Sequence, residues 1–120
     1  MNRGFINPLF TLIMKELLTF FYLNKYLNRK ISELSTGYIV RVKLLASMLH
    51  NPDFYIFDEP FSGLDKNFVY QLMNKIIKLS NERKYFLITI HFSQITSYNF
   101  PNCDYYKILN GTIRKDNLLI

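Results

Sequence analysis

"FYIFDEPFSGLD", residues 54–65, decides the reading of the fold. Its first four residues are bulky and apolar without alternation, the pattern of a strand covered on both faces in a parallel sheet. Two adjacent carboxylates, Asp58 and Glu59, follow at once, and "PFSGL" makes a turn. Asp65 is a good N-cap, and Phe68, Val69, Leu72, Met73, Ile76 and Ile77 hold one face of a helix to about Asn81. "YFLITI", residues 85–90, reads as a second two-sided strand that His91 ends. Strand, helix, strand argues an α/β sheet.

Upstream, a helix is expected to start near Ser35 and to stop at "HNP", because Pro52 and the residue before it resist helix. Earlier still, Pro8 can open a helix over roughly residues 9–27. There Thr11, Lys15 and Thr19 form a narrow polar stripe on an otherwise apolar surface. Lys15 and Glu16 fall in the middle of that run, which is costly in hydrocarbon, so a packed helix is expected and not a membrane span. The apolar run behind Arg3 also lacks the small-residue cleavage site of a signal peptide. Downstream, "DYYKILNGTIRKD" reads as a hairpin turning at Asn110-Gly111.

The 120 residues suit one domain, and a 49% apolar content excludes general disorder. A single cysteine, Cys103, excludes an internal disulfide. The net charge of +6 is scattered without a dense basic tract, so no nucleic acid partner is expected. Arg29, Lys30, Arg41 and Lys43 read most simply as surface charge, and His50 as a helix-end residue.

In α/β sheets ligands collect at the carboxyl ends of the strands, where Asp58-Glu59 and His91 stand. Neighbouring strand residues face opposite ways, so one carboxylate can support a Mg²⁺ while the other orients and deprotonates a water. His91 is placed to donate a hydrogen bond to a phosphate oxygen. Ser35 and Gly37 suit a helix start that receives an anion: a hydroxyl, and a backbone with no side chain in the way.

These pieces, in register without a gap, resemble the ATP-binding cassette (ABC) ATPases. Leu34, Ser35, Gly37, Arg41 and Pro52 match the family's signature and its helix; Asp58, Glu59, Pro60, Ser62, Gly63, Leu64 and Asp65 match its D-E-P and S-G-L-D elements. His91 falls where the family has its switch histidine, and the likeness runs from about residue 17 to 115. The resemblance implies a partial P-loop-NTPase-like domain with a short parallel sheet, flanking helices and a C-terminal β-hairpin. Residues 1–50 would form the helical subdomain's end and the signature helix, and residues 53–120 the Walker B strand, D-loop, switch and late strands. It implies Asp58 as the Mg²⁺-supporting aspartate, Glu59 as general base and His91 as γ-phosphate sensor. Ser35, Thr36, Gly37 and Tyr38 would face the nucleotide of an opposite subunit, and Asp65 would end the D-loop between the two sites. Thr36 and Tyr38 depart from the family's glycine and glutamine, adding a β-branched side chain where the backbone would pass close to phosphate and removing an amide that would point towards the nucleotide.

None of Gly4, Gly37, Gly63 or Gly111 is followed by lysine, so these residues contain no G-x-x-x-x-G-K-[ST] loop, and no Q-loop glutamine precedes the signature. Positioning and charge stabilisation carry phosphoryl transfer, and that loop supplies much of both. Negligible ATPase activity by this polypeptide alone is therefore expected, together with an open, apolar edge on "YFLITI". The chain reads as the C-terminal piece of a nucleotide-binding domain, from a truncated gene or completed by another chain. Expected cofactors are ATP and Mg²⁺. Expected partners are a transporter membrane subunit and a P-loop-bearing half or second nucleotide-binding subunit, at the inner face of a membrane. The functional alternatives are a non-enzymatic remnant or trans-acting module and, against the run of "FSGLD", a soluble cassette ATPase acting on ribosomes or DNA.

Overall fold

Asn7 opens the first helix by accepting the Leu9 amide at 2.9 Å, with Pro8 in the first turn where its missing N–H costs nothing. This helix, α1, runs Pro8–Phe20, in a computed structural model that describes residues 7–91 and 100–116. The sequence predicted α1 to continue to about Leu27, and it stops seven residues short. Tyr22 takes a left-handed backbone (φ 56°), while the Phe21 and Tyr22 amides close on Leu17 and Thr19. The bend sends Phe21 and Leu23 inward, where both are buried. Two single 3-10 turns, Asn24–Tyr26 and Ile31–Glu33, lead to α2.

Helix α2 spans Thr36–Met48, capped by the Ser35 hydroxyl, which accepts the Tyr38 amide at 3.3 Å. Strand β1 is Phe54–Asp58, α3 is Lys66–Asn81 and β2 is Tyr85–Thr89. The expected boundaries hold within a residue or two for all four. Asp65 caps α3, its carboxylate accepting the Phe68 amide at 2.9 Å. β1 and β2 pair in parallel, from Phe54 opposite Tyr85 to Asp58 opposite Thr89.

Of the six-residue apolar stripe that the sequence predicted on α3, Phe68, Val69, Leu72, Met73 and Ile76 are buried, and Ile77 is half-buried. Phe68 meets Phe20 and Phe21 with ring centroids 5.6 and 5.7 Å apart, which joins α3 to the end of α1. On the sheet, Tyr55 and Phe57 are buried, and Tyr55 stacks on Phe86 at 4.7 Å. The expectation of strands covered on both sides is corrected on the opposite face. Phe54, Ile56, Tyr85 and Leu87 are 57%, 70%, 63% and 54% exposed. Apolar residues were placed for two covers, and the described residues lay only one.

Contacts divide the chain between Thr89 and Ile90 into two units. The second holds the expected hairpin, β3 (Tyr106–Leu109) antiparallel to β4 (Thr112–Lys115). Asn110 and Gly111 both take left-handed backbone at its tip (φ 51° and 75°).

Candidate functional site

Asp58 is the last residue of β1, and the parallel register sets Thr89 beside it at the end of β2. The Thr89 hydroxyl donates to Asp58 Oδ1 at 2.5 Å and accepts from the Glu59 amide at 3.0 Å. The same amide reaches the Thr89 carbonyl, also at 3.0 Å. Thr89 thus holds both acidic residues, one by its side chain and one by its backbone. Glu59 stands at φ 48°, a region that costs a non-glycine residue about 1–2 kcal/mol. Both carboxylates are exposed, and the proline behind them, Pro60, is buried. Sequence reasoning missed Thr89. The strand register was its only signal, and that requires pairing "FYIFD" with "YFLIT".

A second feature lies at the start of α2. Residues 35–38 and the turn Gly63–Asp65, with Arg41 behind them, line a pocket of about 420 Å³. Gly37 was read as giving an anion room to approach; in the structure its missing side chain serves packing. A Cβ at Gly37 would stand 2.6 Å from the Gly63 carbonyl oxygen, closer than real contacts allow. Gly63 itself takes φ +75°, so the turn needs its own glycine. Tyr38 packs on Tyr26 with ring centroids 4.6 Å apart. Burial, followed by a hydrogen bond and charge from Tyr26, pushes the Tyr38 phenol above its usual value, while Arg41 pulls it the other way.

The reading of Arg41 as surface charge is overturned: it is 6% exposed. Its guanidinium donates to the Phe21 carbonyl and to Asp65 Oδ2, each at 3.1 Å, and lies 3.7 Å from the centre of the Phe68 ring. The signal was present in the sequence. Arg41, Leu44, Leu45 and Met48 recur at the spacing of one helix face, and all four are buried.

The structure therefore makes two groupings within the first unit: Asp58 and Glu59 with Thr89, and Ser35, Thr36, Gly37 and Tyr38 with Asp65. His91 is exposed and belongs to the second unit. Among the described residues no three His, Cys, Asp or Glu side chains gather as a metal cluster. A cation here would have one protein carboxylate, Asp58, and would draw its other ligands from phosphate and water, which suits Mg²⁺.

No protein-family model matches the chain. It is 42% identical over 76 residues to an uncharacterized ABC transporter ATP-binding protein of Methanocaldococcus jannaschii, covering 59% of this chain and 29% of that protein. It is 36% identical over 84 residues to a zinc import ATP-binding protein of Ehrlichia canis (68% of this chain, 35% of that one). With a Nod factor export ATP-binding protein of Rhizobium etli it shares 30% over 99 residues (82% and 30%). The chain thus spans about a third of the length of these curated relatives. A nucleotide-free ATP-binding cassette from an ABC transporter matches it with a TM-score of 0.67 and 24% identity, over 89% of this chain and 42% of that one. The ADP conformation of another cassette gives 0.54 and 26%, over 72% and 34%. By sequence and by fold together, the chain belongs to the ATP-binding cassette ATPases and represents part of their nucleotide-binding domain.

Proposed function

We propose that the chain is the C-terminal portion of the ATP-hydrolysing subunit of an ABC transporter, contributing to the coupling of ATP hydrolysis to transport. The observation that carries this is the Asp58–Glu59–Thr89 grouping at the carboxyl ends of two parallel strands, where a reacting phosphate belongs in such a sheet. Asp58 would hold Mg²⁺ through its carboxylate, with Oδ1 fixed by the Thr89 hydroxyl. When bound, Mg²⁺ neutralises charge on the phosphoryl oxygens. Glu59, whose backbone is pinned by Thr89, orients the attacking water and accepts its proton. His91 donates to the γ-phosphate. Ser35, Thr36, Gly37, Tyr38 and Asp65 present the pocket to ATP held by an opposite subunit.

In this reading residues 1–50 are the helical-subdomain end with the signature helix, and residues 53–120 carry the Walker B, D-loop, switch and late strands. No described helix is long and apolar enough to cross a membrane. The role is that of a peripheral subunit at the inner face, with a membrane subunit and a P-loop-bearing half or second nucleotide-binding subunit as partners. The exposed sheet face of Phe54, Ile56, Tyr85 and Leu87 favours a second reading: a module that acts only in trans, lending its pocket to a partner's nucleotide.

The test is ATP turnover by the purified chain, alone and mixed with a P-loop-bearing cassette chain, with Mg²⁺ present. Negligible turnover alone and measurable turnover in the mixture are expected, the latter falling about 10²-fold or more in Glu59→Gln. Turnover by the chain alone that Glu59→Gln abolishes would overturn the need for a partner. Stimulated turnover indifferent to Glu59→Gln would remove Glu59 from the chemistry.

A further inference from the structure

We infer that Arg41 is a positioning residue that ties the two strips of chain lining the pocket, residues 35–38 and 63–65, to the end of α1. The pocket is then one preformed wall and not two independent segments. The inference deepens the nucleotide-facing reading and rests on it for its purpose, although its test does not.

A buried guanidinium is costly unless its charge and its N–H groups are all answered. The two hydrogen-bond acceptors of Arg41 come from different elements. Nη1 donates at 3.1 Å to the carbonyl of Phe21, the residue that ends α1. Nη2 donates at 3.1 Å to Asp65 Oδ2, whose other oxygen caps α3 by accepting the Phe68 amide. The guanidinium carbon lies 3.7 Å from the centre of the Phe68 ring and 4.8 Å from that of Tyr38, a pocket residue. The strips also touch directly, since the Gly63 carbonyl fills the space where a Gly37 side chain would stand. A displacement of Asp65 therefore pulls on Arg41, and through it on Tyr38 and Phe21. Lysine is a poor substitute: its single nitrogen cannot occupy both positions that Nη1 and Nη2 hold, and it offers no planar group to the Phe68 and Tyr38 rings.

The experiment is amide hydrogen exchange by NMR on the full chain without nucleotide, for the wild type, Asp65→Ser, Arg41→Lys and the double variant. Asp65→Ser keeps a hydroxyl to cap α3 and removes only the carboxylate facing Arg41. Asp65 itself is exposed, so the change opens no cavity in the apolar core. The reporters are the Ile39 amide, bonded to Ser35, and the Leu23 amide, bonded to Leu18. Both are expected to exchange about fivefold or more faster in Asp65→Ser, with the amides of β1 and β2 unchanged. Arg41→Lys is expected to reproduce this, and the double variant to add little to it, because the two changes break one link. Acceleration confined to residues 61–68 would overturn the inference. So would equal acceleration in the strands, which would make Arg41 a general stabiliser. If Arg41→Lys does not fold, Asp65→Ser alone decides. Catalysis plays no part in the readout, so failure here leaves the ATPase reading standing, and failure of that reading leaves this measurement intact.

Discussion

Glu59 holds a backbone conformation that its side chain resists (φ 48°), directly after a strand and directly before a buried proline. Strain of this kind persists where surrounding contacts over-determine it, and Thr89 supplies them with its carbonyl and its hydroxyl. Glu59→Gly is therefore expected to raise stability by about 0.5–1 kcal/mol in denaturant unfolding, while Glu59→Ala does not. Thr89→Val is expected to lower it by about 0.5–1.5 kcal/mol, with Thr89→Ser near wild type, because the hydroxyl both donates and accepts in an exposed setting. Gly37→Ala meets a backbone carbonyl at 2.6 Å and is expected to cost about 1–3 kcal/mol by the same measurement. The acidic pair and the glycine stood out in the sequence by residue type. Thr89 did not, because a threonine in a strand is ordinary until its cross-strand neighbour is known.

At the scale of elements, local chemistry specified most boundaries. Asn7, Ser35 and Asp65 each cap a helix with a side-chain oxygen, and Asn110-Gly111 turns the hairpin. Helix α1 was over-read because Phe21, Tyr22 and Leu23 continue an apolar pattern that a helix would accept; burial of Phe21 against Phe68 ended it. The strand pair makes a pH-dependent prediction. Burial, and then the charge of Asp53, raise the Tyr55 phenol above its ordinary 10.0. A raised folded value means that Tyr55's contribution is complete below the unfolded value and is lost as pH climbs through the folded one. Lys75, lowered mainly by burial, runs in the opposite direction at alkaline pH, so only a difference isolates the tyrosine. The stability of wild type relative to Tyr55→Phe is expected to hold up to about pH 9 and to fall as pH climbs past the unfolded value of 10.0, read from urea midpoints. A constant difference would show that Tyr55 ionises as freely in the fold as outside it.

For the molecule as a whole, the sheet presents Phe54, Ile56, Tyr85 and Leu87 outward, an apolar surface that favours association. Ile56→Thr with Leu87→Thr is expected to change the stability of the monomer by less than about 1 kcal/mol and to reduce self-association in light scattering. Phe57→Ala, on the covered face, is expected to cost about 3–5 kcal/mol. Equal losses on the two faces would mean that both are covered in solution.

The sequence alone determined the order of elements, the helix starts at Ser35 and Asp65 and the acidic pair, because each depends on residues within a turn or two of one another and on the spacing of apolar positions. Its likeness to cassette ATPases rested on the same local spacing, and both the relatives and the fold agree with it. Only the tertiary structure decided that Arg41 bonds Phe21 and Asp65, that Gly37 fits against Gly63, that Thr89 holds the Asp58 carboxylate and the Glu59 amide, and that one sheet face is bare. Those facts depend on which distant segments meet. A side chain's partners across the fold are set by packing, and no periodicity along the chain encodes them.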